Sequence, residues 1–445
     1  MRRGRDAESV VKAVHVGLLG LGTVGAGTVS VLHGNGREIA RRAGREIRVK
    51  SAVVRDLEKA RKHAFDIALS TDPSDVVDDP EIDIVCEMIG GIDLARELVL
   101  RALANGKHVV TANKALIAIH GNELFAEAQR RGLMLTFEPA VAGGIPIIKS
   151  IREGLAANDI QWLAGIINGT GNFILTEMRD RGAGFDEVLA EAQALGYAEA
   201  DPTFDVEGID AAHKLTILAS IAFGIPLQFD AVYTEGISAI TTDDIAFAEE
   251  LGYRIKHLGV ARKREDGVEL RVHPTLIPER RLVANVDGVM NAVLVHSDAV
   301  GPTLYYGAGA GSHATASSVV ADIVDVVRTL TSDPENRVPH LAFQADALSS
   351  VPVLSRAHFE SAYYLKLLAA DKPGVMADVA RILADEGVSI EAIRQRPAVA
   401  RDGAATIVLL THRVNEGAMD KAIAAIDALD TQFEPVHRIR VETLG

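Results

Sequence analysis

The stretch AVHVGLLGLGTVG, residues 13–25, decides the fold of the N-terminal part of this chain. Residues 13–19 are apolar enough to form a fully buried strand, and a helical run follows the glycines to about His33. A GxGxxG motif between such a strand and a helix is typical of dinucleotide-binding folds. Gly20 permits the tight turn, Gly22 the close approach of a pyrophosphate, and Gly25 close helix–strand packing. A plain strand-to-helix turn is the alternative interpretation.

The second predicted strand, IRVKSAVV at residues 47–54, ends directly before Arg55 and Asp56. A carboxylate at such a strand end binds the ribose 2′-hydroxyl of NAD, whereas an arginine suits the 2′-phosphate of NADP. Because Arg55 comes first, the sequence slightly favours NADP over NAD and leaves the use of both open. A solvated surface charge is the alternative interpretation of Arg55.

Strand-like and helical segments then alternate as far as about residue 136, which indicates right-handed βαβ units and a parallel sheet. Ligands bind beyond the carboxyl ends of the strands in such sheets. Three segments fall at these ends, namely Ile89–Gly91, Thr111–Lys114 and Glu138–Ala140. Lys114 is therefore a candidate catalytic residue, with an ordinary surface lysine as the alternative.

Two further corners are rich in small residues. In FEPAVAGGIPII, residues 137–148, the glycines Gly143 and Gly144 permit backbone shapes that larger residues resist. Carbonyl groups in that loop could hold a hard cation, and a plain domain hinge is an equal alternative. Residues 168–172, NGTGN, follow a predicted strand and suit a backbone cradle for a polar ligand.

Six charged residues crowd the stretch GYAEADPTFDVEGIDAAHK, residues 196–214. If residues 207–223 form a helix, Asp210 and Lys214 lie one turn apart on one face. Apolar residues continue that face along LTILASIAFG, which indicates the wall of a pocket. An exposed ion pair is the alternative interpretation.

The 445-residue chain is too long for one core, and its pattern predicts an α/β protein of several domains. Residues 1–150 are predicted to form a Rossmann-like dinucleotide-binding domain, to which a helix at 312–331 returns. Residues 151–335 alternate less regularly and predict an α+β domain for catalysis and oligomerisation. Residues 336–360 have the composition of a linker, and residues 361–445 show the ferredoxin-like order βαββαβ.

Composition excludes several classes of function. The net charge of −15 gives no general attraction to nucleic acid or to anionic membrane surfaces. The single cysteine, Cys86, allows no internal disulfide and fits a reducing compartment. Because the sequence also shows no signal-peptide or membrane-spanning pattern, a cytoplasmic protein is expected.

The chain resembles homoserine dehydrogenase in five ordered motifs: GLGTVG (20–25), TANKAL (111–116), FEPAVAGGIP (137–146), GIINGTGNFIL (165–175) and the charged stretch at 196–214. The last of these is the most specific. The tail, with DKPG at residues 371–374, resembles an ACT domain, an amino-acid-sensing module. The resemblance implies reversible, NAD(P)-dependent interconversion of L-aspartate 4-semialdehyde and L-homoserine in threonine, methionine and isoleucine biosynthesis.

The resemblance also implies roles for individual residues. Those matching catalytic positions are Lys214, Lys114 and Asp210. Those matching substrate-binding positions are Glu199, Asp205, Asp210 and Lys114. Those matching cofactor-binding positions are Gly20, Leu21, Gly22, Thr23, Val24, Gly25, Arg55, Gly90, Lys114 and Gly311. A structural sodium site matches Glu138, Val141, Gly143 and Ile145.

The chemistry fits these roles, because hydride transfer to an aldehyde leaves alkoxide charge that a lysine ammonium can stabilise and protonate. The resemblance further implies L-threonine as an allosteric effector and a homodimer or homotetramer. One alternative is a Rossmann dehydrogenase for a different amino-acid aldehyde, which would lack the ordered motifs from Lys114 to Lys214. The other is an amino-acid sensor without turnover, which predicts damage at the lysines or carboxylates, and none is visible.

Overall fold

A computed structural model describes residues 12–330, 332–334, 337–397 and 402–445 of the chain. Residue 331, the last of the predicted helix 312–331, lies outside the described residues. The chain divides into two compact units. Unit 1 comprises residues 1–156, 220–227 and 307–348, and unit 2 comprises residues 157–219, 228–306 and 349–445.

The strands in chain order are β1 (Val14–Leu19), β2 (Ile47–Val53), β3 (Ala68–Ser70), β4 (Ile84–Glu87), β5 (His108–Thr111), β6 (Leu135–Thr136), β7 (Ile160–Ile166), β8 (Tyr233–Thr234), β9 (Tyr253–Lys263), β10 (Val268–Pro278), β11 (Met290–Ser297), β12 (Gly301–Ala308), β13 (Glu360–Ala370), β14 (Ile390–Pro397), β15 (Ala404–Thr411), β16 (Val414–Asn415) and β17 (His437–Val441). The α-helices are α1 (Thr23–Gly34), α2 (Gly36–Ala43), α3 (Leu57–Arg61), α4 (Ser74–Val77), α5 (Asp93–Ala104), α6 (Lys114–Arg130), α7 (Ile147–Lys149), α8 (Gly169–Arg181), α9 (Phe185–Ala194), α10 (Thr203–Val206), α11 (Ile209–Phe223), α12 (Thr242–Glu250), α13 (Ser312–Thr329), α14 (Val375–Asp385) and α15 (Glu416–Asp427).

Unit 1 contains a parallel sheet with the strand order β3-β2-β1-β4-β5-β6, as the alternating pattern predicts. Apolar residues fill β1 and β4 because helices cover both faces of such a sheet. Leu19 pairs with both Val53 and Glu87, and Glu87 pairs with Thr111. The carboxyl ends of four strands therefore meet at one edge, where ligands bind in this class of sheet.

Helix α13 completes the core of unit 1, although it follows β1 by about 300 residues of chain. Its residues Val319 and Ile323 are fully buried in a cluster with Val16 and Leu18. The helix approaches α1 so closely that a Cβ atom on Gly27 would lie 2.6 Å from the carbonyl oxygen of Ser312. Close packing of α13 on α1 therefore requires a glycine at that position of α1.

Unit 2 is built on antiparallel strands, and β9 and β10 form a hairpin whose turn contains Asp266 and Gly267. In the tail, the order of elements is β13-α14-β14-β15-α15-β17, with the two-residue strand β16 between β15 and α15. The sheet order β17-β13-β15-β14 is that of the ferredoxin-like fold. The predicted α/β class, with an α+β part and a βαββαβ tail, is thus confirmed.

The C-terminal strand β17 joins the tail to the rest of unit 2 in one continuous sheet. It pairs in parallel with β10, where Arg440 lies opposite Thr275, and antiparallel with β13, where Arg440 lies opposite Tyr363. Both edges of β17 are therefore hydrogen-bonded to strands. The predicted domain boundaries near residues 150, 335 and 360 stay predictions.

The loop at residues 137–148 leads into α7, which contains only three residues and passes into a π-helical turn at Ser150–Gly154. Within the described ranges, none of the helices is both long and apolar enough to cross a lipid bilayer.

Candidate active site

A different structural reason favours glycine at each of the three glycine positions of the GxGxxG turn in unit 1. Gly20 has a φ of +105°, and a Cβ atom there would lie 2.7 Å from the carbonyl oxygen of Met88. A Cβ atom on Gly25 would lie 2.2 Å from the carbonyl oxygen of Gly20. If Gly22, the N-cap of α1, carried a Cβ atom, no described atom except those of its chain neighbours would lie within 4 Å of it. Gly22 therefore leaves open space beside a helix N-terminus, where phosphate groups bind.

The N-terminus of α13 lies beside this turn. The Ser312 hydroxyl donates a 2.9 Å hydrogen bond to the carbonyl oxygen of Thr23, and Gly311 caps α13 with a φ of +126°. In the same turn Leu21 is buried, Val24 is half-buried and Thr23 is exposed. The structure thus brings Gly311 together with Gly20–Gly25, as the resemblance implies.

Arg55 and Asp56 have different environments at the end of β2. Asp56 is the N-cap of α3, and its carboxylate accepts a 3.0 Å hydrogen bond from the backbone nitrogen of Lys59. Arg55 is exposed and lies two residues after the end of the strand at Val53. The Asp56 carboxylate is therefore engaged as a helix cap, whereas the Arg55 side chain is exposed.

Glu87, which the sequence analysis missed, organises the loop that contains Gly90. Its fully buried carboxylate accepts hydrogen bonds from the backbone nitrogens of Ile89 (3.0 Å) and Gly90 (3.3 Å) and from the Thr111 hydroxyl (2.5 Å). Burial raises the pKa of Glu87, and these donors oppose that shift. A signal existed in the sequence, because an acid inside the apolar run IDIVCEMIG needs buried hydrogen-bond donors.

Lys114 is the first residue of α6 and is half-buried. The preceding residue, Asn113, caps the helix by accepting a 3.1 Å hydrogen bond from the backbone nitrogen of Leu116. The amide nitrogen of the Asn113 side chain also donates to the carbonyl oxygen of Gly91 at 2.7 Å. The strand-end loop 89–91 and the lysine-bearing helix are therefore fixed to each other.

The four residues of the predicted sodium site lie in one compact, buried turn. Glu138 begins a 3-10 turn, and its carboxylate accepts hydrogen bonds from the backbone nitrogens of Ile148 (3.0 Å) and Lys149 (2.8 Å). The carbonyl oxygen of Gly143 accepts a 2.7 Å hydrogen bond from Ser318. Val141 and Ile145 are buried in the same turn.

A second carboxyl group lies next to Glu138. The backbone nitrogen of Glu138 donates a 2.9 Å hydrogen bond to Asp322 on α13. Burial raises the pKa of Glu138 to about 7. Burial, with repulsion from Glu138, raises the pKa of Asp322 to about 8. Across the described ranges there is no group of three or more His, Cys, Asp or Glu residues that could hold a metal ion, so a cation in this turn would depend on backbone carbonyls.

In unit 2, Asp210 and Lys214 lie one turn apart on α11, as the spacing predicts. The Nζ atom of Lys214 lies 2.6 Å from Oδ2 of Asp210 and 2.7 Å from the carbonyl oxygen of Ile167. Only 11% of the Lys214 side chain and 5% of the Asp210 side chain are exposed. The pair is therefore not an exposed surface ion pair.

Asn168 connects this pair to a third member of the charged stretch. Its side-chain nitrogen donates to Asp205 (2.7 Å) and to Asp210 (2.9 Å), and its side-chain oxygen accepts from the backbone nitrogen of Gly171 (2.7 Å). The NGTGN corner was expected to form a backbone cradle, and the role of this side chain was not predicted. An asparagine directly before a helix is a cap signal that could have found it.

Glu199 lies apart from the buried cluster, in the exposed turn after α9. The side chain of Gln193 fixes this turn by donating a 3.0 Å hydrogen bond to the carbonyl oxygen of Glu199. Unit 2 thus brings Asp205, Asp210 and Lys214 together around Asn168 and leaves Glu199 in solvent. A largely buried ammonium held by one carboxylate and one carbonyl oxygen can donate a proton, and the carboxylates of Asp205 and Asp210 can receive a second ammonium group.

Comparison with known proteins agrees with this geometry. A family model for homoserine dehydrogenase matches residues 146–324, a model for the NAD-binding domain of homoserine dehydrogenase matches residues 20–138, and an ACT-domain model matches residues 363–431. The homoserine dehydrogenase of Pseudomonas aeruginosa is 66% identical over 98% of this chain and all of its own length. That of Bacillus subtilis is 40% identical with the same coverage.

Solved structures agree as well. A homoserine dehydrogenase from Thiobacillus denitrificans is 66% identical, with a TM-score of 0.94 over 98% of this chain and 99% of its own. A hyperthermophilic archaeal homoserine dehydrogenase in complex with NADPH is 26% identical, with a TM-score of 0.62 over 72% of this chain and 100% of its own. The chain therefore belongs to the homoserine dehydrogenase family, the oxidoreductases that interconvert L-homoserine and L-aspartate 4-semialdehyde with a nicotinamide cofactor.

Proposed function

We propose that Lys214 is the group that moves the proton in this reaction, and that Asp210 holds it in place. The observation that carries the proposal is the buried contact of the Lys214 ammonium with Asp210 and the carbonyl oxygen of Ile167. In the direction of aldehyde reduction, this ammonium donates a proton to the developing alkoxide. The nicotinamide cofactor, when bound, supplies the hydride. In the reverse direction, the neutral amine accepts the hydroxyl proton of homoserine.

Lys114 is proposed as the second catalytic lysine and as a contact for both cofactor and substrate. Its support is its position at the start of α6, directly beyond the carboxyl end of β5. Asp205 and Glu199 are assigned to the α-ammonium group of the substrate, since a cation requires carboxylate partners. Asn168 orients the Asp205 carboxylate for that contact.

The test compares Lys214→Met with Lys114→Met in steady-state oxidation of L-homoserine. If Lys214 moves the proton, its replacement lowers kcat about 10³-fold at neutral pH. In a Lys214→Ala variant, which leaves space for an added amine, an alkylamine then restores activity as its free-base concentration increases. A Lys214→Met enzyme with nearly unchanged kcat would refute the assignment.

For the cofactor, NADP is proposed with a slight preference over NAD. Support comes from the exposed Arg55 after β2 and from the engagement of Asp56 as a helix cap. Gly20–Gly25, Gly90 and Gly311 are assigned to backbone contacts with the cofactor. We expect Arg55→Gln to raise the KM for NADP about tenfold, the loss of roughly one charged contact, with little effect on the KM for NAD.

A structural sodium ion is proposed at the turn formed by Glu138, Val141, Gly143 and Ile145. Buried backbone carbonyls are oxygen donors of the kind that hard cations prefer, and the neighbouring carboxyl groups of Glu138 and Asp322 add negative charge at high pH. The residues present therefore fit a monovalent cation. A higher melting temperature in NaCl than in choline chloride at equal ionic strength would support this site.

L-Threonine is proposed as the effector of the ACT domain, on the family resemblance of the tail. A homodimer or homotetramer is proposed as well, because Val300 and Tyr306 beside and on the edge strand β12 are 53% and 58% exposed. A cytoplasmic location fits the single buried cysteine. Threonine titration of homoserine oxidation and light scattering of wild type and Tyr306→Glu test the first two proposals.

A further inference from the structure

Arg440 on β17 forms an ion pair with Glu235. The residues that follow Glu235 pack against the charged stretch at residues 196–214. The fully buried guanidinium donates to Glu235 through Nη1 at 2.7 Å and to Glu416 through Nε at 3.0 Å. The Tyr233 hydroxyl donates a 2.8 Å hydrogen bond to the same oxygen of Glu235. The Glu235 carboxylate is therefore fixed by two donors, one from β8 and one from β17.

The backbone of Glu235 is fixed at both of its polar groups. Its nitrogen donates a 2.8 Å hydrogen bond to the carbonyl oxygen of Val272 on β10. Its carbonyl oxygen lies 2.9 Å from Nε2 of His257, which must be the donor because a carbonyl oxygen only accepts. Burial lowers the pKa of His257, so this imidazole is neutral near pH 7.

Residues 236–238, the connector segment, continue from Glu235 onto the charged stretch. The backbone nitrogen of Ile237 donates to the carbonyl oxygen of Val206 at 2.9 Å, and the Ser238 hydroxyl donates to the carboxylate of Glu207 at 2.9 Å. A Cβ atom on Gly236 would lie 2.4 Å from the Glu207 carboxylate. The connector segment therefore packs against residues 206 and 207 without space for a larger side chain.

His257 also lies beside Gly208, in the turn that precedes α11. A Cβ atom on Gly208, whose φ is +84°, would lie 3.2 Å from Cε1 of His257. His257 therefore contacts Glu235 on one side and lies beside Gly208 on the other. Residues 206–208 are held from two directions, and Asp205 and Asp210 flank them in the chain.

We propose that Glu235 and Arg440 are positioning residues for substrate binding. They hold the connector segment, which holds residues 205–210 in the geometry that L-homoserine requires. The C-terminal strand β17 thereby sets the affinity for substrate. This inference rests on the proposed role of Asp205 and Glu199 in binding the substrate ammonium group.

The structure supplies a matched control on the same strand. Arg438 also lies on β17 and forms ion pairs with Asp420 and, at 3.5 Å, with Glu416. Both partners lie on α15, and Arg438 is not among the donors to Glu235, although Glu416 is shared with Arg440. Arg438→Gln therefore removes a β17 charge of the same type while it leaves the Glu235 contacts in place.

The experiment measures homoserine oxidation by Glu235→Gln, Ser238→Ala, Arg438→Gln and Glu199→Gln enzymes. We expect Glu235→Gln to raise the KM for L-homoserine about tenfold, and Ser238→Ala about threefold, the effects of one charged and one neutral hydrogen bond. The kcat and the KM for NADP change less than the KM for L-homoserine, because the connector segment contacts residues 206 and 207, directly beside Asp205. Arg438→Gln leaves all three constants unchanged.

A purely structural role would lower the melting temperature without this selective rise in the KM for L-homoserine. The inference is overturned if folded Glu235→Gln and Ser238→Ala keep the wild-type KM, or if Arg438→Gln raises it equally. If Glu235→Gln fails to fold, Ser238→Ala alone decides, since it removes one exposed hydroxyl. Glu199→Gln separates the two proposals: an unchanged KM there refutes the role of Glu199, while a rise in Glu235→Gln still supports positioning.

Discussion

In unit 1, the buried carboxyl groups of Glu87 and Glu138 accept hydrogen bonds from backbone nitrogens, and burial raises their pKa. In unit 2, the buried carboxyl group of Glu416 faces Arg440 and Arg356. Burial alone would raise the pKa of Glu416, but these guanidinium groups lower it to about 2. The carboxyl groups of unit 1 thus shape nearby loops, whereas that of Glu416 forms ion pairs with residues far away in the sequence.

This difference predicts how each unit responds to damage. A loop held by backbone hydrogen bonds loses one local contact when a single residue changes. A buried ion-pair network leaves uncompensated charges behind when one partner is removed, at a cost of about 3–5 kcal/mol per pair. Unit 2 is therefore expected to be the more sensitive to loss of its C-terminal strand, and unit 1 to substitutions within its glycine turns.

The largest expected effect follows removal of residues 350–445. The fully buried Arg271 on β10 would lose Glu442 and Ser361, and the edge of β10 would be exposed. We expect no soluble, folded unit 2, measured by expression yield and by fluorescence of Trp162, the only tryptophan. A soluble, fully active shortened chain would show instead that the tail is a separable module.

The next largest effect is expected at Lys214, which is buried in unit 2. Lys214→Met should lower kcat about 10³-fold, while Lys114→Met should affect the KM for substrate and cofactor more than kcat. Lys263→Met, which removes a half-exposed ammonium paired with Asp159, is the matched control and should retain wild-type kcat. Equal loss of kcat in all three variants would point to general destabilisation.

Asn168→Ala is expected to lower kcat/KM for homoserine about 10²-fold. The substitution removes the side-chain nitrogen that donates to both Asp205 and Asp210, and each lost hydrogen bond costs about 1–2 kcal/mol. The control is Asn415→Ala, since Asn415 caps α15 in the same way but lies in the tail. Both variants lose a helix cap, and only Asn168→Ala should lose activity while it remains folded; equal activity in the two would contradict the orienting role.

The sequence predicted the site of unit 1 better than that of unit 2 for a physical reason. Backbone turns depend on glycine and on neighbouring residues, so Gly20, Gly22 and Gly25 are readable from a short motif. The role of Glu87 in holding the loop at residues 89–91 was not predicted, because its hydrogen-bond partner Thr111 lies on another strand. Local spacing also predicted the Asp210–Lys214 pair, since both lie on one helix.

Other features depend on contacts that no local pattern specifies. The hydrogen bonds of Asn168 to Asp205 and Asp210 cross about 40 residues of chain. The insertion of β17 between β10 and β13 joins segments that are far apart in the sequence. The βαββαβ pattern predicts the order of strands within the tail. It does not predict that β17, the edge strand of the tail's own sheet, also pairs with β10.

A smaller effect is expected for Gly22→Ala. The Cβ atom would enter open space in the protein alone, so stability should not fall, whereas a bound pyrophosphate would meet it. We expect the KM for NADP to rise about tenfold. Gly34→Ala, at the end of the same helix and also in open space, is the control and should leave the KM unchanged. An unchanged KM for NADP in Gly22→Ala would place the cofactor phosphates elsewhere.

The smallest expected effect is a change in the free energy of unfolding with pH. It arises because the pKa values of buried carboxyl groups shift in opposite directions in the two units. Asp322 in unit 1 has a folded pKa of about 8 against an ordinary 3.8, so its contribution to stability is present at low pH and is lost as the pH rises to about 8. Glu416 in unit 2 has a folded pKa of about 2 against an ordinary 4.5, so its contribution is present above pH 4.5 and is lost as the pH falls to about 2. One group changes the free energy of unfolding by at most about 1.4 kcal/mol per pH unit.

Two probes separate the units in this last experiment. Denaturation followed by Trp162 fluorescence reports on unit 2 and should show stability falling below pH 4.5, less so in Glu416→Gln. Amide exchange in β4 and β5, corrected for the intrinsic effect of pH, reports on unit 1 and should show stability falling from pH 6 to 8, less so in Asp322→Asn. If the stability of unit 1 instead stayed constant over that range, Asp322 would be ionised in the folded protein, as a bound cation beside Glu138 would require. Repeating the exchange in NaCl and in choline chloride would then distinguish a cation-filled turn from a shared proton between the two carboxyl groups.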